Sequence, residues 1–207
     1  MSDAHPNARL EAFSDGVFAI AMTLLIIDIK LPSLESITTG DELWKALGHL
    51  APRVFAFLWS FVIILITWVN HHEALKLANK SSASFVYANG FMLLCVVFLP
   101  FPTSLMGEFL GTPGAAPAVV LYVSVMVAQS IAWIVMGHVA LHDGLAKNDR
   151  AAAKIRSNTT NGYYGLALYA VCAVLALWFP SAVALVTVVS WVVWLVIGIR
   201  IRPDEGH

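Results

Sequence analysis

The amino-acid sequence predicts an all-α integral membrane protein in which six transmembrane helices form one domain, residues 1–207. Hydrophobic residues make up 59% of the chain and charged residues only 12%, whereas a soluble domain carries about 25% charged residues. The apolar residues lie in long runs, each close to the ~20 residues that a helix needs to cross a bilayer. Lys and Arg concentrate in alternate connections between these runs. We therefore expect the lipid bilayer to surround almost the whole chain.

The predicted spans follow one another with polar connections between them. The connection after the first span, from Pro32 to Pro52, contains an amphipathic segment near Asp41 to Leu50. The last two spans meet at residues 180–181, which predicts a tight antiparallel hairpin. The six spans cover residues 13–31, 53–73, 84–106, 117–141, 162–179 and 181–200.

The basic residues predict the orientation of these spans. An even number of spans places both termini on one side, and most Lys and Arg residues fall on that side. By the positive-inside rule, both termini are cytoplasmic. The opposite side carries more acids than bases, which would concentrate cations at an outer mouth if several subunits shared one axis. The acids on that side are Asp28, Glu35, Asp41, Glu42 and Glu108.

Charge and cysteine usage argue against several classes of protein. The net charge is −1 and the charges are sorted by membrane side, so we expect no nucleic-acid partner. The two cysteines, Cys95 and Cys172, lie inside apolar runs, which favours small core residues over a disulfide or a metal site. Residues 1–8 contain no basic cluster, so we expect the first helix to be retained rather than cleaved as a signal peptide.

One face of the first predicted helix carries an apolar stripe. Ile20, Leu24 and Ile27 follow the i, i+4, i+7 spacing, and Thr23 lies beside them. Most stripes of this kind pack against other helices, so periodicity by itself favours an ordinary core face.

The start of the same helix carries polar residues close to the hydrocarbon. Such groups are costly there and require a partner. One interpretation is a polar clasp, in which Arg9 bonds carbonyls or Asp15, with His71 and His72 of the second helix as candidate partners. The other interpretation is a helix cap, in which Ser14 or Asp15 satisfies free N–H groups at a helix N-terminus. A histidine in such a clasp would make the attachment of the first helix to the second sensitive to pH.

Several stretches of the first half of the chain resemble a known family. Arg9, Phe13, Ser14 and Asp15 form the pattern R-x-x-x-F-S-D at the start of the first of six spans. Together with the other stretches, this pattern is similar to the transmembrane protein 175 family, potassium channels of lysosomes and bacteria. The last three spans match the family only as generic helices. The other stretches are residues 18–25 (FAIAMTLL), the W-x-x-H-H pattern of Trp68, His71 and His72, Asn89, and residues 100–103 (PFPT).

The resemblance implies a homotetramer of single-repeat subunits whose first helices line a central pore. Vertebrate members carry two repeats in one chain, whereas this chain has one, so four copies would be needed. Carried over by position, the constriction residues are Ile20, Leu24 and Ile27, and Thr23 is a nearby hydroxyl for a passing ion. The resemblance also implies potassium and other monovalent cations as permeant ions, and a prokaryotic cell membrane as the location.

An apolar ring predicts a particular mode of conduction. The chain contains no Thr-Val-Gly-Tyr-Gly loop, the carbonyl filter of ordinary potassium channels. Four bulky side chains meeting on an axis exclude water and gate by dewetting. Ion preference then arises from hydration and pore width, which predicts weaker selectivity than a carbonyl filter gives. Conduction of protons, or of cations with weak selectivity, is the alternative within the channel class.

Two other classes of function remain as alternatives. A secondary transporter needs a midplane site, usually on broken helices. No span shows a Gly/Pro break at its centre with polar groups around it, and the sequence shows no inverted repeat. An intramembrane metal enzyme would need His71, His72, His138 and His142 to converge on one pocket. His138 and His142 have i, i+4 spacing with Asp143 next, but without a third ligand a polar cap is favoured. We expect no cofactor, no metal and no enzyme activity.

Overall fold

The computed structural model describes residues 7–27, 29–30 and 37–200, with side chains up to residue 196. This part of the chain is helical, apart from turns and one isolated β-bridge. Asp28, Glu35 and the predicted end of the first span at residue 31 lie outside the described residues. The helices are α1 (Ala8–Ile27), α2 (Gly40–His49), α3 (Ala51–Lys76), α4 (Ala83–Phe98), α5 (Pro100–Phe109), α6 (Ala115–His142), α7 (Asp149–Leu175) and α8 (Pro180–Arg200).

Four helical units are long and apolar enough to cross a membrane. They are α1, α3, α6 and the continuous unit Ala83–Phe109 formed by α4 and α5. α8 is apolar over the shorter stretch Pro180–Val196, and α7 begins with a polar half. The all-helical membrane class is therefore confirmed, while the total of six spans stays a prediction.

The third predicted span is divided into two helices. α4 ends at Phe98 and α5 begins at Pro100, with Leu99 between them. Proline has no N–H to donate and its ring displaces the preceding carbonyl, so Pro100 is tolerated only in the first turn of a new helix. The third predicted span, residues 84–106, lies within the candidate membrane-crossing unit Ala83–Phe109, and the break in the helix at Leu99 was not predicted.

The predicted hairpin between the last two spans also differs from the structure. α7 begins at Asp149, well before residue 162, because Asn148 caps it by accepting a hydrogen bond from the Ala151 N–H at 2.8 Å. The helix ends at Leu175, and residues 176–179 form a turn before α8. The connection is thus longer than the two residues expected.

The amphipathic segment after α1 is confirmed as α2. Thr39 Oγ1 accepts a hydrogen bond from the Glu42 N–H at 3.3 Å, and the Glu42 carboxylate accepts one from the Thr39 N–H at 3.0 Å. This reciprocal capping box fixes where the helix begins. Hydrogen bonds from the backbone and side chain of Thr38, and from the backbone of Thr39, lower the pKa of Glu42.

α6 forms the centre of the bundle, packed against α4, α5, α7 and α8. α1 packs on one side only, against α3, α4 and α5. Its buried residues Phe18, Ala21 and Leu25 join a core that also contains Ile63 and Val96. α1 is therefore a peripheral helix of the chain with one covered face.

Cys95 and Cys172 are both buried and unpaired. Both belong to the same apolar core as Phe18. The prediction that they act as small core residues is confirmed.

At the end of the bundle where α1 begins, two connections pair with each other. Ala78, after α3, forms an antiparallel bridge with Ala146, after α6. The Asn79 N–H donates to the Leu145 carbonyl at 2.9 Å. Asn7 Nδ2 donates to the Ala78 carbonyl at 3.2 Å, so the start of α1 is attached to this paired region.

Close packing of α6 and α7 depends on glycine at the contact. A Cβ at Gly137 would lie 2.0 Å from Thr159 Oγ1, whereas a Cβ at Gly90 on α4 would meet nothing within 4 Å. We expect Gly137→Ala to destabilise the protein by about 1–3 kcal/mol, because overpacking forces helices apart. Gly90→Ala should be neutral or stabilising, by about 0.5–1 kcal/mol. Thermal unfolding in detergent checks both variants, and equal melting temperatures would contradict the predicted contact.

Candidate functional site

The predicted constriction stripe lies on the uncovered face of α1. The side chains of Ile20, Leu24 and Ile27 are 59%, 39% and 69% exposed in the single chain. Thr23 is exposed beside them, and its hydroxyl donates to the Ile20 carbonyl at 2.8 Å. Because that hydrogen is used within the helix, the Thr23 oxygen is left with lone pairs directed away from the backbone.

The covered face of α1 uses a different set of residues. Ser14, Phe18, Ala21 and Leu25 are buried, and they follow the i, i+4, i+7 spacing of one helix face. Sequence reasoning had allowed the Ile20 stripe to be an ordinary core face. That alternative does not hold within the chain, since the packing face is the one that contains Phe18.

The start of α1 is attached to α3 by a hydrogen bond inside the bundle. The indole Nε1 of Trp68 donates to Asp15 Oδ1 at 2.7 Å. Asp15 therefore has the partner that its position requires, although that partner is Trp68 rather than Arg9.

A second connection runs from α1 through α4 to α3. The Ser14 hydroxyl donates to the Leu10 carbonyl at 2.8 Å, so its oxygen is free only to accept. Asn89 Nδ2 donates to this oxygen at 3.1 Å, which directs Asn89 Oδ1 toward His71 Nε2 at 2.5 Å. Because an amide oxygen only accepts, His71 Nε2 is the donor in this bond. We call Ser14, Asp15, Trp68, His71 and Asn89 the clasp.

His72 lies one helical turn after Trp68 on α3 and makes a separate contact with α1. Its Nδ1 lies 2.8 Å from Glu11 Oε1, and its ring stacks on Trp68 with centroids 6.0 Å apart. The nitrogen does not meet the geometry of a hydrogen bond with any described residue. The contact is therefore an ion pair when the imidazole is protonated and a weak polar contact when it is neutral.

Two expectations about the polar residues are corrected. Arg9 is exposed, and among residues 7–27, 29–30 and 37–200 it makes no hydrogen bond or ion pair with Asp15 or a carbonyl. The helix-cap interpretation of Ser14 and Asp15 is wrong, because α1 begins at Ala8, almost two turns earlier. Phe13 is exposed on the same side of α1 as Ile20 and is not part of the clasp.

His138 and His142 do not form a metal site within the described chain. His138 Nδ1 contacts the Ile134 carbonyl at 2.9 Å, and His142 Nδ1 contacts Asp143 Oδ1 at 2.9 Å. The part of the chain that is described contains no group of three His, Cys, Asp or Glu residues arranged to hold a metal. Hydrogen bonds from His142 and from the Ser82 hydroxyl lower the pKa of Asp143, which agrees with a polar cap at the end of α6.

Comparison with known proteins decides the family. A family model described as endosomal/lysosomal potassium channel TMEM175 matches residues 9–100, which include the clasp, the stripe and all of α1 after Ala8. A potassium channel of Chamaesiphon minutus is 38% identical over 194 residues, covering 93% of this chain and 89% of the relative. The chain belongs to the TMEM175 family.

Solved structures of TMEM175 proteins have the same fold. The crystal structure of a lysosomal potassium-selective channel TMEM175 homolog from Chamaesiphon minutus superposes with a TM-score of 0.77 at 35% identity. The match covers 90% of this chain and 96% of that one. A variant of the potassium channel MtTMEM175 superposes with a TM-score of 0.64 at 17% identity, which supports the fold alone.

The vertebrate relatives are much longer proteins. The human endosomal/lysosomal proton channel TMEM175 is 33% identical over 110 residues, which cover 51% of this chain and 22% of the human protein. Similarity to vertebrate TMEM175 therefore concerns about half of this chain.

Sequence reasoning missed Glu11 and the bridging role of Asn89. For Glu11, the spacing of residues in the sequence could have revealed the contact with His72. Glu11 and Asp15 are one turn apart on α1, and Trp68 and His72 are one turn apart on α3. If the two helices are antiparallel, one pairing of Asp15 with Trp68 also places Glu11 opposite His72. Asn89 has no comparable signal, because its position depends on how α4 packs against both helices.

Removal of the bridging amide should destabilise the bundle. In Asn89→Ala, the Ser14 hydroxyl and His71 each lose a buried partner, and an unsatisfied buried group costs about 1–3 kcal/mol. Asn70→Ala is the matched control, since Asn70 is exposed and makes no side-chain hydrogen bond within the described chain. We expect a lower unfolding temperature for Asn89→Ala only. Equal unfolding temperatures would mean that the clasp contributes nothing to stability.

Proposed function

We propose that this chain is one subunit of a passive, potassium-preferring cation channel whose pore is lined by α1. The observation that carries the proposal is the exposed stripe of Ile20, Leu24 and Ile27, which lies on the face of α1 opposite the face that packs through Phe18, Ala21 and Leu25. A TMEM175-family chain of similar length, at 38% identity, is named a potassium channel. The family and its structural neighbours are ion channels and not enzymes.

The proposed assembly is a homotetramer in which four copies of α1 meet on the axis. Each copy contributes one repeat, and the uncovered face of α1 is the surface that such an axis requires. The apolar stripe then forms a ring that closes the pore to water, and conduction begins when α1 moves outward or rotates. Thr23 is the proposed hydroxyl contact for an ion that passes the ring.

The proposed setting is the cell membrane of a prokaryote, with lipid and other copies of the chain as partners. We infer six spans and two cytoplasmic termini. This topology is supported by the concentration of Lys and Arg residues at the end of the bundle where α1 begins. In this orientation the clasp lies toward the cytoplasm and the Ile27 end of the stripe lies toward the outside.

Proton conduction is the second candidate. It is favoured by one observation, namely that the vertebrate relatives are named proton channels. Flux measured against a potassium gradient and against a proton gradient, in the same liposomes, separates the two candidates. Saturable flux would instead indicate a transporter, and one bound transition metal per chain would indicate a metal protein.

The first variant to test is Ile20→Asn, measured as potassium and sodium flux in liposomes. We expect faster leak or a weaker preference for potassium, because an amide in the ring retains water. Lowering the barrier to conduction by about 1.4 kcal/mol raises flux roughly tenfold. The transfer of one apolar side chain out of water is worth about 1.5–3 kcal/mol, so replacing the apolar side chain at position 20 is large enough to produce a change of this size.

The matched control is Ile26→Asn. Ile26 is on the same helix and is 51% exposed, but it lies about a third of a turn from Ile20. This control should leave rate and ion preference unchanged. If Ile20→Asn also changes neither, α1 does not form the constriction. If folded wild-type protein carries no ion, the channel proposal itself fails.

The contact between Glu11 and His72 predicts a pH-dependent conductance. Protonation of His72 creates an ion pair with Glu11 and strengthens the attachment of α1 to α3, so a mobile α1 should open less readily as pH falls. We expect His72→Ala and Glu11→Gln each to reduce the pH response of potassium flux. His138→Ala is the control, since His138 lies on α6 beside Tyr163. If His72→Ala and Glu11→Gln both keep the pH response of the wild-type protein, His72 has no part in gating.

A further inference from the structure

The described residues of the chain leave the apolar side chains of α2 uncovered. None of its residues from Gly40 to His49 is buried, although it carries large apolar side chains. Leu43, Trp44 and Leu47 are 43%, 75% and 44% exposed. An isolated helix shorter than ~12–15 residues is only marginally stable in water. A surface that covers the apolar face of α2 is therefore required for a stable helix of this length.

The residues of α2 are sorted into two faces. Leu43, Leu47 and Leu50 follow the i, i+4, i+7 spacing, and Trp44 lies beside them. The other face is polar and lies on the opposite side of the helix. Its residues are Asp41, Glu42, Lys45 and His49. This strongly two-sided pattern is typical of helices that lie in the plane of a membrane surface.

The connection to α3 decides which medium the apolar face meets. Leu50 is at once the C-cap of α2 and the residue that precedes α3. α3 is long and apolar enough to cross the membrane, and it begins at Ala51. With no intervening loop, α2 is held at the membrane boundary where α3 enters. Tryptophan is enriched at this boundary, which agrees with Trp44 on the apolar side.

We propose that α2 is an interfacial helix whose Leu43–Trp44–Leu47 face binds the bilayer at the level of the lipid glycerol and upper acyl chains. Its charges indicate which lipids it accepts. The polar face carries two carboxylates and one lysine, so no attraction to anionic headgroups contributes to binding. The ligand is therefore the neutral lipid interface, and the attachment should be insensitive to salt. This proposal does not depend on whether the chain conducts ions.

The test places an environment-sensitive nitrobenzoxadiazole label on each face of α2 in the full chain. Leu47→Cys reports the apolar face, Leu43→Cys is a second reporter there, and Lys45→Cys reports the polar face. The native cysteines are buried, so the unsubstituted protein should take up little label and provides the background. Labelled proteins are reconstituted in vesicles of phosphatidylcholine, with or without lipid brominated in the upper acyl chain.

Bromolipid should quench the labels at positions 47 and 43, and aqueous iodide should quench the label at position 45. The same pattern is expected after addition of anionic lipid or salt. Iodide quenching at positions 47 and 43 equal to that at 45 would show that the face meets water. Protection of those two positions from both quenchers would show that protein, such as a second copy of this chain, covers the face. Either of these results overturns the proposal, as does quenching by bromolipid that appears only with anionic lipid present.

Discussion

The arrangement of α1 depends on the hydrogen bonds that attach its first half to α3 and α4. Asp15 accepts from Trp68 on one side, and Ser14 accepts from Asn89, which in turn accepts from His71. Polar groups within a low-dielectric bundle are costly unless each is paired, and the same surroundings strengthen every bond that does form. A rotation of α1 that carried Ser14 or Asp15 to the uncovered face would break these bonds. The clasp thereby determines that the Phe18 face points inward and the Ile20 face points away from the chain.

This constraint explains why the two faces of α1 have such different consequences although both are apolar. Phe18 lies against the ring of His71 with centroids 5.2 Å apart, so the packed face is continuous with the clasp. Ile20, Leu24 and Ile27 have no such partners among the described residues and require other apolar surroundings, such as lipid or another subunit, beside them. Hydrophobicity alone does not distinguish these faces, because lipid, a protein core and a closed pore ring all accept the same side chains.

The sequence predicted what depends on composition and local spacing. The structure confirms three such predictions: the apolar runs of α1, α3 and α6, the amphipathic helix α2, and the burial of both cysteines in the core. The division at Pro100 was also a local signal but was not used. The polar first half of α7 was missed, because a search for apolar runs does not extend a helix beyond the bilayer. Clasp partners such as Asp15 and Trp68 are separated by 53 positions, and their pairing depends on helix register that no single segment contains.

The distribution of polar contacts along α1 has a mechanical consequence. Side-chain links from α1 to the rest of the described chain begin at Asn7 and end at Asp15, within its first two turns. The following half, which carries Ile20 and Ile27, is held within the described chain by apolar contacts of residues such as Ala21 and Leu25. Hydrogen bonds are directional and resist rotation, whereas apolar contacts tolerate small displacements at lower cost. α1 is thus fixed at its start and less constrained toward its end, so a change at Glu11 or Asp15 would be expressed as displacement of the stripe. A helix attached in this way combines a fixed start with an end that can move, and the proposed constriction residues lie toward that end.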